Sequence, residues 1–206
     1  MKKNKINLNI ACGVHLLKNF INVDKYFDYQ DLVGKKDIFK NAVIEKGAKF
    51  VRGDILNLPF KDNYADYILS VDTIEHVKTN DVPRAMSELY RVLKKGGKLT
   101  LSTPDFDDIA ERWIKMKNEE FDIKKFLDLT GLIYGNQAGY EDGEMHKTPF
   151  TVYYLNLLLQ TAGFKKYTLD WYPGGTKPPK MKGYYKILQN GKFFLKSAVF
   201  VVNAIK

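Results

Sequence analysis

The sequence predicts an α/β fold, a doubly wound and mostly parallel sheet in one domain, residues 1–206. Three features carry that expectation. Branched apolar runs of strand length recur with helical patterns between them. Several of these runs end in a small or acidic residue, and the carboxyl edge of such a sheet is where ligands bind. The chain's 206 residues, 45% of them hydrophobic, can bury one sizeable core.

The first run places Ile6, Leu8 and Ile10 in a buried strand that also carries Asn9, and it stops at Ala11-Cys12-Gly13. Residues this small let a nucleotide-like ligand approach backbone NH donors. The full G-x-G-x-x-G of a dinucleotide turn is absent, because Ala11 stands where the first glycine would. Val14 to Phe20 is too short for a crossover helix and predicts one helical turn. Ile21-Asn22-Val23-Asp24 is a second strand, ending in a carboxylate suited to both hydroxyls of a ribose. Tyr26 to Gln30 reads as loop. Lys35 to Lys46 reads as an amphipathic helix with Ile38, Val43 and Ile44 inward and Gly47 as its stop. Phe50 to Ile55 is a third strand, in which Asp54 can meet the exocyclic amine of an adenine. Tyr64 to Asp72 is a fourth, bringing Ser70 and Val71 to the same edge, and Glu75-His76 opens the helix after it. Asp81-Val82-Pro83 starts the next helix with an acidic cap, and Lys94-Lys95-Gly96-Gly97 ends it before a fifth strand at Lys98 to Ser102.

Pro104 to Tyr140 leaves this rhythm, with helices predicted at Ile109 to Met116 and Phe121 to Ile133 and a polar loop at Gly135 to Gly143. An insertion there overlies the ligand edge, so residues 105–148 are read as a substrate lid. A surface helical pair without a catalytic part explains them as well. Thr151 to Ala162 is a helix stopped by Gly163, Phe164 to Trp171 a sixth strand, Tyr172 to Gly183 a connection and Ala198 to Ala204 a final apolar strand.

The motifs LNIACG, INVD, GDILNLPF, SVDTIEHV and RVLKKGGKLTLSTPDF, in that order, resemble a class I S-adenosylmethionine-dependent methyltransferase over roughly residues 5 to 165. Gly135-Asn136-Gln137 followed by His146-Lys147 is similar to small methyltransferases of the type 11 kind found among glycan and cell-surface polysaccharide genes. The resemblance implies a Rossmann-like seven-stranded sheet whose last strand is antiparallel, and S-adenosylmethionine as cofactor. It implies cofactor contacts from Asn9, Ala11, Cys12, Gly13, His15, Asp24, Asp54, Ile55, Ser70 and Val71, and substrate contacts from Asp105, Gln137 and Lys147. Asp105 has an equally good reading as a helix cap.

Methyl transfer from a sulfonium is an in-line displacement, so the protein chiefly aligns the acceptor and excludes water. A sugar hydroxyl needs a base, and histidine suits neutral pH. His146 is the candidate base, with His76 in reserve and His15 beside the cofactor turn. The three histidines lack the local spacing of a metal motif, so no metal is expected. The acceptor expected is a small molecule or a glycan, with an anionic one suggested by the formal charge of +9. Nucleic acid is the less favoured partner, because the lysines are dispersed and no nucleic-acid module accompanies them. RNA or metabolite methylation, or a noncatalytic cofactor-binding subunit, remain alternatives. One cysteine, Cys12, fits a reducing compartment, and no apolar run suits a bilayer or a signal peptide. A cytoplasmic protein is therefore expected.

Overall fold

A computed structural model describes residues 5–26, 43–135, 145–172 and 199–206. The strands are β1 (Asn7–Ile10), β2 (His15–Leu16), β3 (Ile21–Asp24), β4 (Val43–Ile44), β5 (Lys49–Arg52), β6 (Ala65–Val71), β7 (Leu93–Pro104), β8 (Lys166–Tyr172) and β9 (Val199–Ile205). The α-helices are α1 (Val82–Val92), α2 (Phe106–Met116), α3 (Ile123–Tyr134) and α4 (Val152–Ala162). Seven strands form one sheet in the order β5-β3-β1-β6-β7-β9-β8, parallel except for β9, which runs antiparallel to both its neighbours.

That order positions the site. From β1 the chain builds outward to β3 and β5, then returns to place β6 and β7 on the other side of β1. The direction of winding reverses between β1 and β6, and the crevice at the carboxyl ends there is the ligand position of open α/β sheets. Leu8 lies opposite Ile21 on one side and Ile68 on the other, so three parallel strands end together.

The sheet stays in place because its alternating side chains bury on both faces. Leu8, Ile10, Val23, Ile68, Leu99 and Leu101 pack with Met86 and Leu89 of α1 and Leu155, Leu158 and Leu159 of α4. On the opposite face Leu17, Leu69, Val71, Val199 and Val201 form a smaller cluster.

Several local expectations change. The segment after the first turn is extended where a helical turn was expected: β2 pairs in parallel with β4, and Val43 and Glu45 donate backbone bonds to the carbonyls of Val14 and Leu16. Branched Val43 and Ile44 favour this extended pairing, so the inward residues expected of a helix's end belong to a strand, and Gly47 (φ 83°) turns the chain into β5. The remainder of that expected helix lies outside the described residues, as does most of the expected connection at 172–183.

The fifth strand begins at Leu93, five residues before the expected Lys98. Leu93 pairs with Ala65, and the ladder then shifts register across Lys94 to Gly97, whose Gly96 and Gly97 exchange backbone bonds with Lys206. Gly97 is required by this bulge, since a Cβ there would stand 2.8 Å from the Lys94 carbonyl. Asp81 precedes α1 but makes no side-chain cap bond, whereas Asp105, Asp122 and Thr151 cap α2, α3 and α4.

Candidate functional site

The turn after β1 is held from two sides. Ala11 and Gly13 take positive φ values of 50° and 51°, and the Gly13 amide donates to Asp24 Oδ2 at 2.8 Å. Asp24 Oδ1 accepts from the Tyr26 amide, also at 2.8 Å, and the carboxylate is 5% exposed. Below the turn, Asn9 Nδ2 donates to the His15 carbonyl and to Asn22 Oδ1. Asn22 in turn ties Leu17 and Lys49 to β3. Asn9 thus props the turn from beneath.

Bulk is missing where a ligand would approach. A Cβ added to Gly13 would meet nothing within 4 Å. Cys12 is buried, and burial, with Asp24 adding to it, pushes its thiol far up. It is a packed neutral thiol, with no thiolate character. Burial lowers the His15 imidazole, which favours its neutral form.

At the end of β5, Asp54 Oδ1 accepts from the Leu56 amide at 2.9 Å, and Oδ2 pairs with Lys25 Nζ at 2.8 Å. Burial opposes the ionised form, but the lysine and the amide outweigh it and hold this carboxyl below its ordinary value. Ile55 packs against the main core. Gly53, missed from sequence, makes this corner possible: a Cβ there would lie 2.7 Å from Pro59 Cδ and 2.9 Å from Val23 Cγ1.

Ser70, at the end of β6, is fully buried, and its hydroxyl has no partner among the described residues. A buried hydroxyl without a partner is an acceptor and donor awaiting a ligand or water. Val71 belongs to the smaller cluster. Asp72 follows at φ 46°, and its carboxyl, bonded by Ser102 at 2.7 Å, is raised by burial.

Beyond it the chain forms a short 3-10 turn, Ile74–His76, where a helix was expected to open. Glu75 is 2% exposed; Oε2 accepts from Thr103 at 3.2 Å, while Oε1 has no partner among the described residues. Burial, aided by Asp72, raises its carboxyl well above the ordinary value. The Glu75 carbonyl receives the amides of Lys147 and Thr148, and Thr148 Oγ1 donates to the Val77 carbonyl at 2.7 Å. These bonds dock the 145–150 segment on the loop after β6.

Docking brings two expected residues together. The rings of His76 and His146 meet edge to face, 4.9 Å between centroids. His76 Nδ1 lies 3.1 Å from the Met145 carbonyl and His146 Nδ1 2.9 Å from that of Leu132. A carbonyl only accepts, so each Nδ1 carries the proton and each Nε2 presents a lone pair. Burial first, then His146, pushes His76 down to about 4; burial lowers His146 as well. Ligand-capable atoms of Glu75, His76 and His146 lie within 4.8 Å of one another. The expectation of no metal rested on local spacing, and the fold removes that basis by assembling the group from segments 70 residues apart.

The three expected substrate residues have different places. Asp105 Oδ1 caps α2 through the Asp107 amide, and Oδ2 accepts from Trp171 Nε1 at 2.7 Å, so both oxygens serve the fold. Lys147 lies beside the histidine pair, and Gln137 is outside the described residues. Glu75 itself was not among the expected site residues; an acidic side chain between Ile74 and His76, four residues past the end of an apolar strand, was the available signal.

Residues 9–101 match the methyltransferase domain family model. An uncharacterized protein of Methanocaldococcus jannaschii is 29% identical over 66% of this chain and 60% of its own. Norajmaline N-methyltransferase of Rauvolfia serpentina is 28% identical over 62% of this chain and 46% of its own. The chain thus spans about half the length of these curated relatives. A solved S-adenosylmethionine-dependent methyltransferase of Methanosarcina mazei superposes with a TM-score of 0.60 at 17% identity, covering 100% of this chain and 94% of that one. One solved neighbour of this fold, a phosphoethanolamine N-methyltransferase of Haemonchus contortus, holds S-adenosylmethionine; here the small-residue turn, the buried Asp24 carboxylate and the Ser70 hydroxyl, which has no partner among the described residues, could hold an adenosyl group. Residues 9–101 thus match a methyltransferase domain, and the mostly parallel seven-stranded sheet is the Rossmann-like fold also found in solved S-adenosylmethionine-dependent methyltransferases.

Proposed function

We propose that the chain transfers a methyl group from S-adenosylmethionine to a hydroxyl oxygen, most readily that of a saccharide in glycan or cell-surface polysaccharide synthesis. One observation carries the acceptor half: two imidazoles with fixed Nε2 lone pairs stand at the end of β6, next to the strand whose turn fits the cofactor. β1 and β6 are neighbours about 4.8 Å apart. When bound, the cofactor supplies an electrophilic methyl group.

The residues of the chain do the rest. Asp24 holds the Gly13 turn at the end of β3, where its carboxylate faces the position of the ribose hydroxyls in this reading. Asp54, bridged to Lys25, edges the adenine position. His146 Nε2 takes the proton of the attacking hydroxyl, and His76, held near 4, is too weak a base to lead. The helices α2 and α3 act as a lid over this edge, with the Leu132 carbonyl of α3 orienting His146. The single cysteine supports a cytoplasmic setting, and no helix among the described residues is long and apolar enough to cross a membrane.

Calorimetry with S-adenosylhomocysteine, followed by methyl-transfer assays over hydroxylated sugars, small metabolites and RNA, tests the reading. Saturable cofactor binding with transfer to a sugar hydroxyl is expected, and His146→Ala should reduce kcat more than cofactor affinity. Absence of cofactor binding at millimolar concentration would refute the cofactor half, and transfer to RNA or to nitrogen alone would refute the acceptor half.

A further inference from the structure

We infer that Glu75, His76 and His146 form a binding site for a divalent transition-metal ion of the zinc type. The group has the composition of a three-ligand site with an open position, two imidazoles and one carboxylate. Magnesium and calcium, which take oxygen ligands, match it poorly.

Three independent features support the site. Both imidazoles have Nδ1 tied to a backbone carbonyl, the outer bond that usually orients a metal-bound histidine through Nε2. With Nδ1 so occupied, Nε2 is the nitrogen of each ring left to bind an ion. Glu75 is 2% exposed, yet Oε1 has no partner while Oε2 is oriented by Thr103. A buried carboxylate oxygen in that state is costly unless something binds it. The ligand-capable atoms lie within 4.8 Å, and around a tetrahedral ion bonded at about 2.0–2.1 Å they would lie roughly 3.4 Å apart. Binding therefore draws the group inward by side-chain rotation. The backbone is already fixed by the Lys147 and Thr148 amides on the Glu75 carbonyl.

What the ion does rests on the methyl-transfer reading; that it binds does not. An acceptor hydroxyl coordinated at the open position loses its proton to bulk water. Its oxygen then forms the C–O bond as the S–CH3 electron pair returns to sulfur, giving a methyl ether, S-adenosylhomocysteine and the released proton. With the ion bound, His146 is a ligand and coordination takes over the deprotonation that His146 performs in the metal-free protein.

The test uses untagged full-length protein, stripped with chelator and titrated with zinc sulfate alone by calorimetry. One equivalent is expected, with affinity reduced at least tenfold in His146→Gln and Glu75→Gln. X-ray absorption of zinc-loaded wild type should report two imidazole nitrogens at about 2.0–2.1 Å, a reading that needs no variant to fold. No saturable binding, equal binding in both variants, or a zinc shell without imidazole would overturn the site. S-adenosylhomocysteine binding is measured in parallel. Its loss would remove the methyl-transfer reading and leave the metal site standing; chelator-insensitive transfer without zinc binding would do the reverse.

Discussion

Asp24 pins the turn after β1 and, in the proposed reading, meets the ribose of the cofactor, so its substitution tests the two roles separately. Its carboxylate accepts the Gly13 and Tyr26 amides, each at 2.8 Å, while 5% exposed. Hydrogen bonds to a charged acceptor contribute roughly 1.5–3 kcal/mol each, and a buried amide left unsatisfied costs about 1–3 kcal/mol. Asp24→Asn keeps the shape and one accepting oxygen, but turns its NH2 toward the second amide. It should therefore lose about 2–4 kcal/mol, and Asp24→Ala, which loses both bonds, should lose more. Against a typical domain stability of about 5–15 kcal/mol, Asp24→Ala is expected to be only marginally folded. Urea denaturation measures this loss, and calorimetry with S-adenosylhomocysteine, performed well below the Asp24→Asn transition, measures binding. Losing one ribose bond to the carboxylate should weaken binding roughly tenfold to a hundredfold. Unchanged urea midpoints in both variants would refute the structural role. A destabilised Asp24→Asn protein with wild-type affinity would remove Asp24 as the ribose acceptor and leave it as a pin for the turn.

Three further outcomes follow from the same geometry. Burial lowers the His15 imidazole, so the unfolded ring, near 6.5, takes its proton before the folded one; stability is complete above that pH and is lost as pH falls through the lowered value. Urea midpoints should fall less between pH 7.5 and 5 in His15→Gln than in wild type, and equal falls would contradict it. Gly53→Ala forces a Cβ to 2.7 Å from Pro59 Cδ and should cost about 1–3 kcal/mol, so a wild-type melting temperature would count against the close packing. Trp171→Phe removes the 2.7 Å indole bond to Asp105, and because Trp171 is half-exposed, water limits the loss to about 1 kcal/mol. Asp105→Ala should cost more, since the α2 cap is lost as well, and the reverse ranking in urea would contradict this division of roles.

The central strands were legible because parallel strands buried on both faces must be apolar, and each of these runs stops at a small or polar residue. Ile6 to Gly13, Ile21 to Asp24 and Ala65 to Val71 satisfy that rule within one short window each. The extended β2–β4 pair was not legible, because a two-residue strand carries no period and its partner lies 27 residues on, from Leu16 to Val43. Lys94 to Gly97 misled for a related reason. Lysines followed by glycines mark a helix end, and they also suit a bulge entering a strand, a choice that pairing with Lys206 decides.

The histidine group illustrates the same limit at the level of chemistry. His76 and His146 share no sequence window, and each alone is an ordinary half-buried ring. Their meeting depends on two backbone amides, Lys147 and Thr148, finding the one carbonyl of Glu75 that the 3-10 turn leaves free. That bond also explains why Glu75 can be buried at all: the segment that covers it brings the imidazoles. A carboxyl in this place with no ligand to meet would be better replaced by glutamine or leucine, which fill the volume without a charge to suppress. Metal-free Glu75→Gln protein should accordingly be at least as stable as wild type at pH 7.5 in urea. Marked destabilisation would mean that the carboxyl serves the fold, and the case for a ligand there would weaken with it.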